Sequence, residues 1–139
     1  MIRVVRWLFA LALIVLATGC GGADSPTPTP VDRPELLAAF SAVNEPVRLQ
    51  LDMRGQIDPF GVGVDAIFVP ASWGDVPDPP FDVALFADAA SARAASSQEN
   101  ESVAGDNPEI VVHKNVSLEV SRSVARERRD RLVSALRSL

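Results

Sequence analysis

Cysteine is almost absent from this chain: among 139 residues there is one, Cys20. A single cysteine excludes a disulfide within the chain, so the folded part is held by its apolar core alone. Histidine is equally scarce. His113 has no second histidine with which to share a metal, and it stands in no recognisable triad context. No G-x-S-x-G elbow, EF-hand loop or glycine-rich phosphate fingerprint occurs; Gly61 and Gly63 lack the strand–loop–helix setting that a phosphate cradle needs. An excess of basic residues is missing too. The formal net charge is −5, which argues against a nucleic-acid partner. Nor is any apolar run long enough to span a bilayer. The longest, Trp7 to Ala17, would cover roughly 16 Å as a helix, against a hydrocarbon core of about 30 Å.

That short run nevertheless has a clear setting. Arg3 and Arg6 precede it as a positive n-region, and Leu16-Ala17-Thr18-Gly19 lead into Cys20. Residues 1–19 read as a secretory signal peptide. The small residues before the cysteine resemble the lipobox of bacterial lipoproteins, in which the cysteine is lipidated and becomes the new N-terminus. The resemblance implies lipidation at Cys20 and a membrane partner reached through that lipid. It also implies export to the cell envelope, at the outer face of the cytoplasmic membrane or at the outer membrane. Residues 20–31 follow as a tether, glycine-rich at first. Pro26, Pro28 and Pro30 then alternate with threonine and favour extended polyproline-like geometry.

A single domain over 32–139 is expected to follow. Asp32 and Glu35 are spaced as a capping box with Pro34 in the first turn, and Leu36, Ala39, Phe40 and Val43 fall on one helical face. Val47 to Arg54 alternates faultlessly and predicts a strand with its apolar residues inward and its other face solvated. Val64–Val69 and Phe81–Ala87 predict two more strands. Asp88 is suited to cap an alanine-rich helix to about Gln98, with a polar loop from Asn100 to Pro108. Glu109–His113 and Val116–Ser121 form a hairpin about Lys114-Asn115. Ser123 is placed to cap a last helix with an apolar stripe of Ala125, Leu132, Val133, Leu136 and Leu139. Glu127–Arg131 and Arg126–Asp130 are spaced for i,i+4 pairs along it. The expected class is α+β in the order α-β-β-β-α-β-β-α, a mainly antiparallel sheet of about four to five strands with helices on one face. Residues 81–139 are consistent with most of a ferredoxin-like unit.

This arrangement resembles a family of small bacterial envelope lipoproteins. The likeness lies in the lipobox-like start, the short helix before the sheet, the Pro59-Phe60-Gly61 loop, and above all FDVALFADAASARAA, a strand running into an alanine-rich helix. It implies location and fold class and carries over no activity.

Charge is unevenly spread. Removing residues 1–19 leaves a mature charge of −7; six arginines from Arg122 onward make that end +4 and the remainder −11. Either the last helix neutralises an acidic body, or it touches anionic lipid headgroups. Asp75, Asp78 and Asp82 flank a proline-rich loop and read as a solvated acidic stretch; Asp52, Asp58 and Asp65 are too dispersed for an acid–base pair. Trp73, with Phe60 as a second aromatic, is the residue best suited to anchor a partner. The function expected is therefore that of a non-enzymatic, membrane-anchored binding or interaction domain with an envelope protein as partner. It needs no cofactor or metal. The expected binding face is the outer side of the Val47–Arg54 strand with the Trp73 loop. The alternative is a carrier of a small apolar ligand in a pocket between sheet and helices.

Overall fold

A computed structural model describes residues 27–54, 56, 63–74, 78–102 and 108–139, with side chains described at none of 98–102. The expected signal peptide, Cys20, most of the expected tether and Phe60 lie outside the described residues. Among the described residues, three helices and five strands follow in the expected order: α1 (Arg33–Ala42), β1 (Val47–Asp52), β2 (Val64–Pro70), β3 (Phe81–Phe86), α2 (Ala89–Ser102), β4 (Glu109–His113), β5 (Val116–Val120) and α3 (Arg126–Arg137). Every pairing is antiparallel and the sheet order is β1-β2-β3-β5-β4. The α+β class therefore holds. The β4–β5 hairpin folds back so that β5 lies between β3 and β4, leaving α2 as the crossover of a split β-α-β unit.

The helices do not share one face. Leu36 and Phe40 of α1 and Leu132, Ala135 and Leu136 of α3 pack with Phe68, Phe81, Val83, Leu118 and Val120. Ala92 and Ala95 of α2 pack instead with Phe86, Val64, Ala84 and Val112. Ala84 and Val112 alternate with Val83 and Val111 along their strands, so α2 covers the opposite face. Sequence periodicity shows which stripe of a helix is apolar, but the strands β3 and β5 carry small or apolar residues on both faces and accept a helix on either. Between the sheet and α1 and α3, where an apolar ligand pocket would have to lie, Leu36, Phe40, Leu132 and Leu136 are fully buried and fill the space.

Local chemistry accounts for the element ends. Asp32 Oδ1 accepts from the Glu35 backbone N–H at 2.9 Å, and Asp88 Oδ1 accepts from that of Ser91 at 2.7 Å. Gly63 opens β2 at φ +74°, and a Cβ there would meet Ser91 Oγ of α2 at 3.0 Å. Other expectations need correction. The β1 strand stops at Asp52, and its alternation does not bury every apolar residue: Leu49 is 43% and Leu51 39% exposed. A register shift between them sets Leu49 opposite Phe68 but Leu51 opposite Ile67, on the other face. Such a bulge at a sheet edge turns the strand and interrupts its ladder, and no described strand covers β1 from outside. The α2 helix runs on to Ser102, through the start of the expected polar loop. Ser123 bonds Ser121 rather than capping α3, whose N-cap is the exposed Ala125.

The arginines of α3 are largely engaged with the domain itself. Arg128 and Arg131 both hold Glu45, at 2.8 and 3.1 Å, and Arg129 meets Glu109 at 3.3 Å. Arg131 thus reaches across to the α1–β1 corner rather than back to Glu127. Arg126 pairs with Asp130 at 3.9 Å on the exposed side. Burial by itself would raise the Glu45 carboxyl, but hydrogen bonds from Arg128 and Arg131 outweigh it and hold the group below the usual carboxylate range. Asp52 is depressed much further, by hydrogen bonds from Arg33 and then Arg54. Folded-state values below the unfolded ones mean stability present above the ordinary carboxylate range and lost as pH falls. Urea unfolding should therefore give a lower midpoint at pH 3 than at pH 7, and Glu45→Gln should flatten that dependence. An equal slope in the variant would show that Glu45 does not carry it.

Candidate functional site

The β2–β3 connection leaves the sheet at Pro70 and returns at Phe81, and it is here that Trp73 sits. The Trp73 backbone N–H donates to Pro70 O at 2.9 Å, and its carbonyl accepts from Arg48 Nη2 at 3.0 Å. Both backbone groups are thus held, and the Trp73 side chain is half-buried. Ser121 N–H donates to Pro80 O at 2.9 Å, joining the chain after β5 to the chain before β3. Four segments converge at this end of the sheet, and between them opens a groove of about 720 Å³. Trp73, Pro79, Pro80 and Pro108 supply its apolar walls, with Asp78, Asp82, Glu119 and Arg122 as its charges. Asp78, just before Pro79, adopts a left-handed φ of +61°, a conformation aspartate tolerates better than most residues.

Asp82 and Glu119 have a specific relation. They are direct cross-strand partners in the β3–β5 ladder, two carboxylates facing each other on central strands. The rest of FDVALF and VSLEV is apolar or a small hydroxyl, so a lone acid in each central strand was a signal available in the sequence.

Of the residues singled out from sequence, Trp73, Asp78 and Asp82 come together here, while Phe60 and Asp75 lie outside the described residues. Of the β1 strand, Arg48 reaches the Trp73 loop by donating to the Trp73 carbonyl, while Asp52 sits at the far end of that strand. His113 is half-buried at the end of β4, away from the groove. Glu119, Ser121, Arg122, Ser123 and Pro108 were not anticipated, because only folding brings the start of β4 and the end of β5 beside the Trp73 loop.

At the opposite end of the sheet Val31 enters the domain. Val31, expected as the last tether residue, is buried, and its N–H donates to Asn115 Oδ1 at 2.7 Å. Asn115 Nδ2 donates to Val31 O and to Phe86 O at 3.2 and 2.8 Å. The left-handed residue of this turn is Lys114, at φ +50°, rather than Asn115.

Among the described residues no three His, Cys, Asp or Glu side chains are grouped to hold a metal ion, and no helix is long and apolar enough to cross a membrane. Comparison with protein-family models, with curated proteins and with solved structures found no match, so function is argued from this chain's own residues.

Proposed function

We propose that this protein is a lipid-anchored domain of the bacterial cell envelope that binds a protein partner at the Trp73 groove and performs no catalysis. The observation that carries this reading is the placement of tether and groove at opposite ends of the sheet. Asn115 ties Val31 beside Phe86, whereas the groove lies around Phe81, the other end of the same strand. Six residues of β3 separate the two by about 17 Å. A stiff Pro-Thr spacer ending at Val31 would then hold the domain with the groove facing away from the anchored bilayer. The lipobox-like start and Cys20 provide the anchor.

The test has two arms. Cys20→Ser should leave the membrane fraction and appear as a soluble, folded domain; retention in the membrane would replace lipidation with an uncleaved anchor. Trp73→Ala should keep both anchor and fold yet lose crosslinking to an envelope protein in intact cells. Unchanged crosslinking would move the binding face elsewhere.

A further inference from the structure

Threonine is confined to one end of this chain, at Thr18, Thr27 and Thr29. Thr18 falls within the expected signal peptide. Residues 32–139 have none, although β-branched threonine suits strands and the domain has five of them. Where the domain needs a hydroxyl it uses serine, and several of these are occupied: Ser96 Oγ donates to Ala92 O, Ser97 Oγ to Arg93 O and Ser138 Oγ to Ala135 O. We propose that Thr27 and Thr29 are modification sites, O-glycosylated on the outer side of the cytoplasmic membrane. This rests on the reading of the chain as an exported, anchored protein.

Access is the first reason. Thr27 to Pro30 are exposed and outside helix and strand, and neither threonine hydroxyl has a hydrogen-bond partner among the described residues. Pro28 and Pro30 are the second. A proline disfavours helical geometry in the residue before it, so each hydroxyl stands on an extended backbone, as on the proline- and threonine-rich stalks that carry O-linked sugars. Position is the third. Burial begins at Val31, whose N–H is held by Asn115 Oδ1 at 2.7 Å, so both hydroxyls stay outside the folded domain and their modification needs no unfolding. In the transfer, threonine Oγ1 bonds to the anomeric carbon of a hexose as that carbon's bond to the phosphate oxygen of a polyprenyl-phosphate donor breaks. The hydroxyl proton passes to the released phosphate. A donor of this class is held in the membrane and serves a site where nucleotide sugars are absent. The sugar would shield an exposed segment of the kind that proteases cut.

The test is the intact mass of the protein purified in detergent from the bacterium that makes it, with sites assigned by electron-transfer fragmentation. The parent should carry an excess of whole hexose units on Thr27 and Thr29. The double variant Thr27→Val, Thr29→Val keeps two β-branched side chains and removes only the hydroxyls, so it should lose the entire excess while its lipid and its fold are unchanged. Bare threonines in the parent would overturn the proposal. So would an excess that survives in the valine variant, which places the sugar on serine, or one that a phosphatase removes, which makes the group a phosphate. If the threonines are bare but Cys20→Ser still releases the protein from the membrane, only the glycosylation is refuted and the anchor stands. If the threonines are bare and Cys20→Ser fractionates as its parent does, both readings fall.

Discussion

Replacing Phe40 with alanine should destabilise the domain by about 3–5 kcal/mol, the largest loss expected from a single substitution. Phe40 is fully buried on α1 and stacks on Phe81 of β3, with ring centroids 6.4 Å apart. The Arg128 guanidinium lies 5.5 Å from the centre of the same Phe81 ring, and Glu45 holds that guanidinium from the α1–β1 corner. Truncation at Phe40 would remove the transfer energy of a whole ring and open a cavity at the junction of α1, α3 and the sheet. The surrounding elements relax only partly into such a cavity. A domain with a total stability of about 5–15 kcal/mol would be left near its limit. Urea unfolding followed by circular dichroism measures this directly. Phe40→Leu, which keeps most of the apolar volume, should lose a much smaller part. A loss below about 1 kcal/mol for alanine would mean that α1 is not docked as described.

Asn115→Ala comes second, at about 2–4 kcal/mol. The carboxamide is buried at the β4–β5 turn and makes three hydrogen bonds, accepting from Val31 N–H and donating to Val31 O and Phe86 O. Alanine leaves three backbone groups without these partners, and the cost is their desolvation rather than the modest net worth of the bonds. Asn115→Asp should be worse than its similar shape suggests. It keeps an acceptor for Val31 but turns the donor into a second, charged oxygen aimed at two carbonyls. Hydrogen exchange offers a second readout. The Val31 amide should exchange rapidly in the alanine variant while those of β2 and β3 stay protected. If the tether end keeps its protection, another contact holds it, and the argument for where the anchor emerges weakens.

Legibility in the sequence varied with how local the cause was. The Asp32 and Asp88 caps were visible because each bond spans three residues. Strand β3 was visible because Phe81, Val83 and Leu85 alternate with smaller or polar neighbours, and all three are buried on one face as that pattern requires. Alternation in β1 was equally clear and misled, because a bulge between Leu49 and Leu51 changes which face a residue meets without altering the pattern of letters. Ser123 had the right chemistry for a cap and a nearer partner in Ser121. At the candidate site Trp73 was found as a loop aromatic, and Asp78 and Asp82 were noted only as a solvated stretch. Asp82 acquired its meaning from Glu119, thirty-seven positions away and directly opposite.

The sequence by itself determined that no disulfide closes within these residues, the α+β class and the order of the elements, and it set the expectations of an anchor at Cys20 and of a contact role for Trp73. All of these depend on composition or on neighbours within a turn or two of chain. Tertiary structure alone decided that α2 covers the face opposite α1 and α3, that Glu45 gathers two arginines, and that the groove and Val31 lie at opposite ends of the sheet. The physical reason is shared by all three. Each depends on strand pairing across long separations, and a strand that can bury either face carries no local mark of which neighbour it will meet.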